Sequence, residues 1–82
     1  MRAKAALALW SAGPHARPAV PALTAALADP DADVRLNAAG ALGEVGAGAE
    51  AAIPALTKRL QDSNRDVREA AGEALRKIRG GD

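Results

Sequence analysis

Apolar side chains recur along this chain at three- and four-residue steps. Val34, Ala38, Leu42 and Val45 form one series, and Val67, Ala71, Leu75 and Ile78 form a second. This is the spacing of one face of an α-helix, and alternation of the strand type is absent. A shorter series precedes each of these: Val20, Leu23 and Leu27, then Ile53, Leu56 and Leu60. Alanine, leucine, arginine and glutamate fill the intervening positions, and all are good helix formers. Between the short and the long series lie Asp29-Pro30-Asp31 and Asp62-Ser63-Asn64. These are turn residues that also cap a following helix, with Ser63 a candidate cap. Asp33 and Asp66 then fall in the first turn, where the helix dipole favours negative charge. Pro18 suits a first helical turn. Pro21 and Pro54 lie slightly deeper and predict a bend or a late helix start.

The pattern repeats every 33 residues. Ala19-Val20-Pro21-Ala22-Leu23-Thr24 returns as Ala52-Ile53-Pro54-Ala55-Leu56-Thr57, and Asp33-Val34-Arg35 as Asp66-Val67-Arg68. The same offset carries Arg2, Ala5, Ala6, Ala8 and Leu9 onto Arg35, Ala38, Ala39, Ala41 and Leu42. A period of this length marks a stacked repeat architecture. The chain therefore reads as one domain over 1–82, with a half repeat (2–12) and two full repeats (18–46 and 50–79). That makes five helices in an all-α fold. Gly13-Pro14 and the glycines at 46 and 48 punctuate the repeats.

Composition changes this picture in one respect. The apolar share is 49%, but most of it is alanine, with no Phe or Tyr and one Trp. Apolar stabilisation scales with the area buried, so the core is thin and its helices must lie close together. The net charge of +1 selects no class of partner. Absence of cysteine excludes a disulfide framework and a thiolate metal site, and suits a reducing compartment such as the cytoplasm. No uncharged run approaches the roughly 18 residues that span a bilayer. The start, with Arg2 and Lys4 before an apolar stretch, has the outline of a signal peptide. Because it lies in phase with the repeat, it reads as a repeat helix.

The repeat resembles HEAT repeats, specifically the short HEAT-like class of phycobilisome lyases. The features are proline in the first helix, aspartate at the turn, and valine-arginine opening the second helix. Here these are Pro21, Asp29, Val34 and Arg35, then Pro54, Asp62, Val67 and Arg68. Ankyrin repeats carry a Thr-Pro-Leu-His start, and tetratricopeptide repeats carry bulky aromatics; neither is present. The resemblance implies a right-handed α-solenoid of about two and a half helical hairpins. It also implies that Asp29, Asp62, Arg2, Arg35 and Arg68 form a structural ladder between repeats. The alternative for the arginines is phosphate binding.

Candidate chemistry is sparse. His15 is the only histidine and has no second ligand at helical spacing. Some HEAT-like enzymes bind iron through His-Glu pairs at the starts of second helices, and no such pair occurs here. Ser11 and Ser63 have no base at a suggestive spacing. No cofactor is implied, and the expectation is a non-enzymatic module. Lys58, Arg59, Arg76, Lys77 and Arg79 give the second full repeat a basic bias that keeps nucleic-acid binding open as the alternative. The lack of interleaved aromatics speaks against it.

The expected function is protein–protein interaction or scaffolding on a concave surface built by successive second helices. Its candidate contacts are Asn37, Ala41, Glu44, Ala70, Ala74 and Lys77. Leu7 and Trp10 stand where the later repeats have Gly40 and Gly43, then Glu73 and Arg76. They read either as a cap over the chain's own open flank or as a contact surface for a partner or a homodimer. A last reading is an inactive piece of a longer solenoid.

Overall fold

The structure, a computed structural model, describes residues 19–80. Among them run four α-helices: α1 (Val20–Ala26), α2 (Ala32–Val45), α3 (Ile53–Arg59) and α4 (Arg65–Ile78). A 3₁₀ segment, Gly46–Ala52, joins α2 to α3. The helix expected over 2–12 lies outside the described residues, as do Arg2, Leu7 and Trp10.

Each helix starts where its local chemistry allows. The α2 cap is Asp31, whose side chain accepts from the Asp33 N–H; the α4 cap is Asn64, which accepts from the N–H groups of Asp66 and Val67. Each side-chain oxygen thus satisfies backbone donors that the first turn leaves without partners. The cap of α4 is Asn64 and not Ser63, because Asn64 holds the extended backbone of the cap position (φ −93°, ψ 126°). Neither α1 nor α3 has a side-chain cap, and both place proline in the first turn, where no N–H is required. Asp33 and Asp66 sit in the first turns of α2 and α4.

Gly46 ends α2 with φ 71° and ψ −138°, a conformation that a side chain would oppose, and its N–H returns to the Leu42 carbonyl. Ala49 breaks the helical geometry of the 3₁₀ segment (φ −103°, ψ 21°) while burying its methyl. The linker therefore belongs to the core as well as connecting its halves.

The helices form two layers, with α1 and α3 backing α2 and α4. Leu23 and Leu27 from α1 and its C-cap, Val34 and Leu42 from α2, Leu56 from α3 and Val67 from α4 are the largest fully buried side chains. Burying each contributes about 1.5–3 kcal/mol. Alanines 38, 39, 41, 49, 52, 71 and 74 fill the rest. Their small size draws α2 and α4 together: a Cβ placed on Gly43 would come within 3.2 Å of the Ala74 Cα. Two expectations need correction here. Ala41 and Ala74 are buried, at 0% and 2% exposure, because small residues stand where the helices touch and not on an open face. Leu60 is 39% exposed, although its repeat counterpart Leu27 is 1% exposed.

Candidate functional site

Two features gather the polar side chains of the described residues. The first is a cluster around Asp62, at the turn between α3 and α4. The turn places its carboxylate so that Oδ1 accepts from the Asn64 N–H at 2.9 Å. Arg35, from the first turn of α2, then reaches across the repeat boundary. Its Nε donates to Asp62 Oδ2 at 2.9 Å and its Nη2 to Oδ1 at 3.1 Å, a two-point fork on one carboxylate. Its Nη1 donates to the carbonyls of Asp29 at 2.7 Å and Pro30 at 3.0 Å, in the preceding turn. One guanidinium thus holds its own repeat's turn and the next repeat's turn together.

Arg59 adds a third cationic contact, Nη1 to Asp62 Oδ2 at 3.1 Å. Its side chain is only 26% exposed, drawn in against the carboxylate. The signal for it was its i,i+3 spacing from Asp62. Burial raises the Asp62 pKa, but the hydrogen bonds from Arg35 and the Asn64 N–H, with the charges of Arg35 and Arg59, outweigh it and hold the carboxyl below its ordinary value. No buried side-chain nitrogen or oxygen among the described residues lacks a hydrogen-bond partner. Arg68 repeats part of the pattern, its Nη1 donating to the Asp62 carbonyl at 2.8 Å. Asp29 Oδ1 accepts from the Asp31 N–H at 2.9 Å.

The second feature is an open groove of about 490 Å³ between α2 and α4. Small residues form its floor: Ala39, Gly40, Gly43, Ala70 and Ala74. Leu36 stands on the α2 side, and Asp66, Glu69, Glu73 and Arg76 on the α4 side. Glu44 and Lys77 close one end with an ion pair at 3.0 Å, each about half exposed. They occupy the same position of successive repeats with opposite charge, a pairing that the repeat register alone makes legible. Asn37 is half-buried on α2 and is not among the groove's lining residues.

Among the described residues no group of three His, Cys, Asp or Glu side chains could hold a metal ion, and no helix is long and apolar enough to cross a membrane. The family model for HEAT repeats matches residues 1–76. No curated protein and no solved structure matches the chain. The match is to HEAT repeats as a class; the phycobilisome-lyase-like subclass rests on the Pro21, Asp29, Val34, Arg35 pattern alone.

Proposed function

The chain belongs to the HEAT repeat family, and from that premise we propose that it is a non-enzymatic module binding protein segments along α2 and α4. HEAT repeats generally mediate protein–protein interaction or scaffolding and are typically non-enzymatic. The observation that carries the reading here is the groove between the second helices. Its floor of alanine and glycine lets a partner approach the backbone closely. Its rim, with Glu44, Lys77, Glu69 and Glu73, supplies charge at the edges. An apolar centre inside a polar rim is the usual anatomy of a protein interface. Stacked repeats present such surfaces as a direct result of their geometry. The cysteine-free composition fits a module working in the cytoplasm.

Within this reading Arg35 joins the turns at Asp29 and Asp62 and so fixes the angle between repeats, Arg68 braces the Asp62 turn of its own repeat, and Glu44 and Lys77 contact the partner. Selection of peptides from a displayed library on the immobilised chain tests the proposal. Enriched peptides should bind the wild-type chain and lose affinity for Gly40→Glu, which places a charged side chain on the groove floor. Failure to enrich any peptide, or peptides indifferent to Gly40→Glu, would overturn it.

A further inference from the structure

Seen down its axis, α4 gathers its arginines on one side, with Arg65 paired to Glu69 at 3.2 Å. Arg68, Arg79, Gly72, Arg65 and Arg76 fall within about 80° of its circumference at 3.6 residues per turn. Glu69, Glu73, Asp66 and Lys77 follow on the side of the groove, and Arg76 borders both surfaces. Beside the arginine arc stands Leu60, the exposed large apolar residue among those described. Its Cδ2 would lie 3.7 Å from a Cβ built on Gly72, so the two residues share one surface.

The preceding repeat shows this same face when it is covered. Its equivalents are Ala32, Arg35, Ala39, Gly43 and Gly46 on and just beyond α2, with Leu27 in place of Leu60. There α4 packs so closely that a Cβ on Gly43 would stand 3.2 Å from the Ala74 Cα, tighter than ordinary contact. Leu27 lies beside Ala51, Pro54 and Ala55 of the next repeat, and Arg35 closes on Asp62. The second full repeat keeps the leucine and the arginine, as Leu60 and Arg68. It replaces Ala32, Gly43 and Gly46 with Arg65, Arg76 and Arg79. A helix seated on α4 as α4 is seated on α2 would have its backbone where the Arg76 side chain leaves the helix. Whatever covers this face must stand farther off and answer a row of guanidinium groups.

Arg68 is already oriented for that task. Its Nη1 is held by the Asp62 carbonyl at 2.8 Å, as Arg35 Nη1 is held by the Asp29 carbonyl at 2.7 Å. In Arg35 the remaining edge, Nε and Nη2, takes both oxygens of a carboxylate. In Arg68 that edge makes no hydrogen bond among the described residues. We propose that this face binds an acidic helical segment of a protein partner. Arg68 closes on one carboxylate as Arg35 closes on Asp62. Arg76 and Arg79 meet a second carboxylate about two helical turns away, around an apolar side chain laid on Leu60 and Gly72. Planar guanidinium groups suit two-point carboxylate recognition, and residues 19–80 hold no aromatic side chain on which a base could stack. The proposal rests on reading the chain as a protein-binding module, and adds a second surface with a stated partner chemistry.

The test uses a fluorescein-labelled synthetic peptide of about 15 residues, long enough to hold a helix. It carries two glutamates two turns apart and a leucine midway. Fluorescence anisotropy should show saturable binding. Arg68→Ala and Arg79→Glu, neither of which lines the groove, should each weaken it about tenfold, the loss of a central interface arginine. Leu60→Ser should weaken it several-fold, and a lysine-for-glutamate peptide should not bind. Gly40→Glu in the groove should leave the affinity unchanged, so this surface and the groove succeed or fail separately. Circular dichroism of each variant reports whether it is folded. The proposal is overturned if the peptide does not bind, or if a DNA duplex binds more tightly and ignores Leu60→Ser. It is also overturned if light scattering shows a second copy of the chain occupying the face and excluding the peptide.

Discussion

Replacing Arg35 by alanine tests how the two repeats are joined. The substitution removes four hydrogen bonds at once: two to the Asp62 carboxylate and one each to the carbonyls of Asp29 and Pro30. The two carbonyls lie near solvent, and water can replace the guanidinium there. The carboxylate cannot be rehydrated as easily, since the Asp62 side chain is 2% exposed. It would keep only Arg59 and the Asn64 N–H. Removing one partner of a buried pair costs about 3–5 kcal/mol in general. Arg59 remains as a second cation, so the expected loss is lower, about 2–3 kcal/mol. For a domain of this size each kcal/mol lowers the melting temperature by roughly 4–8 °C. A drop of about 10–20 °C should follow, read by circular dichroism at 222 nm. Arg59→Ala removes one bond from a more exposed side chain and should cost only about 1 kcal/mol. A double-mutant cycle between Arg35 and Asp62 should give a coupling energy within the range of about 0.5–3 kcal/mol seen for groups in contact. Equal shifts for Arg35→Ala and Arg59→Ala, or a coupling near zero, would refute the reasoning.

Asp62 also sets a pH dependence. Its folded pKa lies below the ordinary value of 3.8, so its contribution to stability is complete above that value and is lost as pH falls through the folded pKa. Acid titration of the melting temperature should therefore be steeper for the wild type than for Asp62→Asn. The two helical glycines should respond in opposite senses. Gly72→Ala meets only ordinary van der Waals contact and should stabilise by about 0.5–1 kcal/mol. Gly43→Val drives a branched side chain against the Ala74 backbone and should destabilise by about 1–3 kcal/mol. Asn64→Ala should cost about 1 kcal/mol by leaving the Asp66 and Val67 N–H groups without their cap. Thermal melts of the three variants check all of these.

The repeat makes much of this architecture legible in the sequence. Period and phase placed α2 and α4, and the aspartates at the turns marked where each begins. What the phase could not supply was environment. Leu27 and Leu60 are equivalent in sequence, yet one is covered by the residues of the following repeat and the other is exposed. Ala41 and Ala74 stand among the expected contacts of the concave surface, but alanine is also what a close helix crossing selects. Arg59 reads as one more basic residue in a basic repeat until the Asp62 turn brings the carboxylate to it. The choice of Asn64 over Ser63 as cap depends on a single backbone conformation that composition does not encode. Equivalent positions differ in meaning when their neighbours differ. That comparison, of Gly43 with Arg76 and of Arg35 with Arg68, is what separates a covered face from an exposed one among the described residues.

The most direct test of protein binding along the second helices is amide chemical-shift mapping of the isotope-labelled chain titrated with a library-selected peptide. The account predicts saturable shifts concentrated at the groove residues Leu36, Gly40, Gly43, Ala70, Glu73 and Lys77, with the Arg35 and Asp62 turn unmoved. Shifts confined to α1 and α3, or no shifts at any peptide concentration, would contradict it.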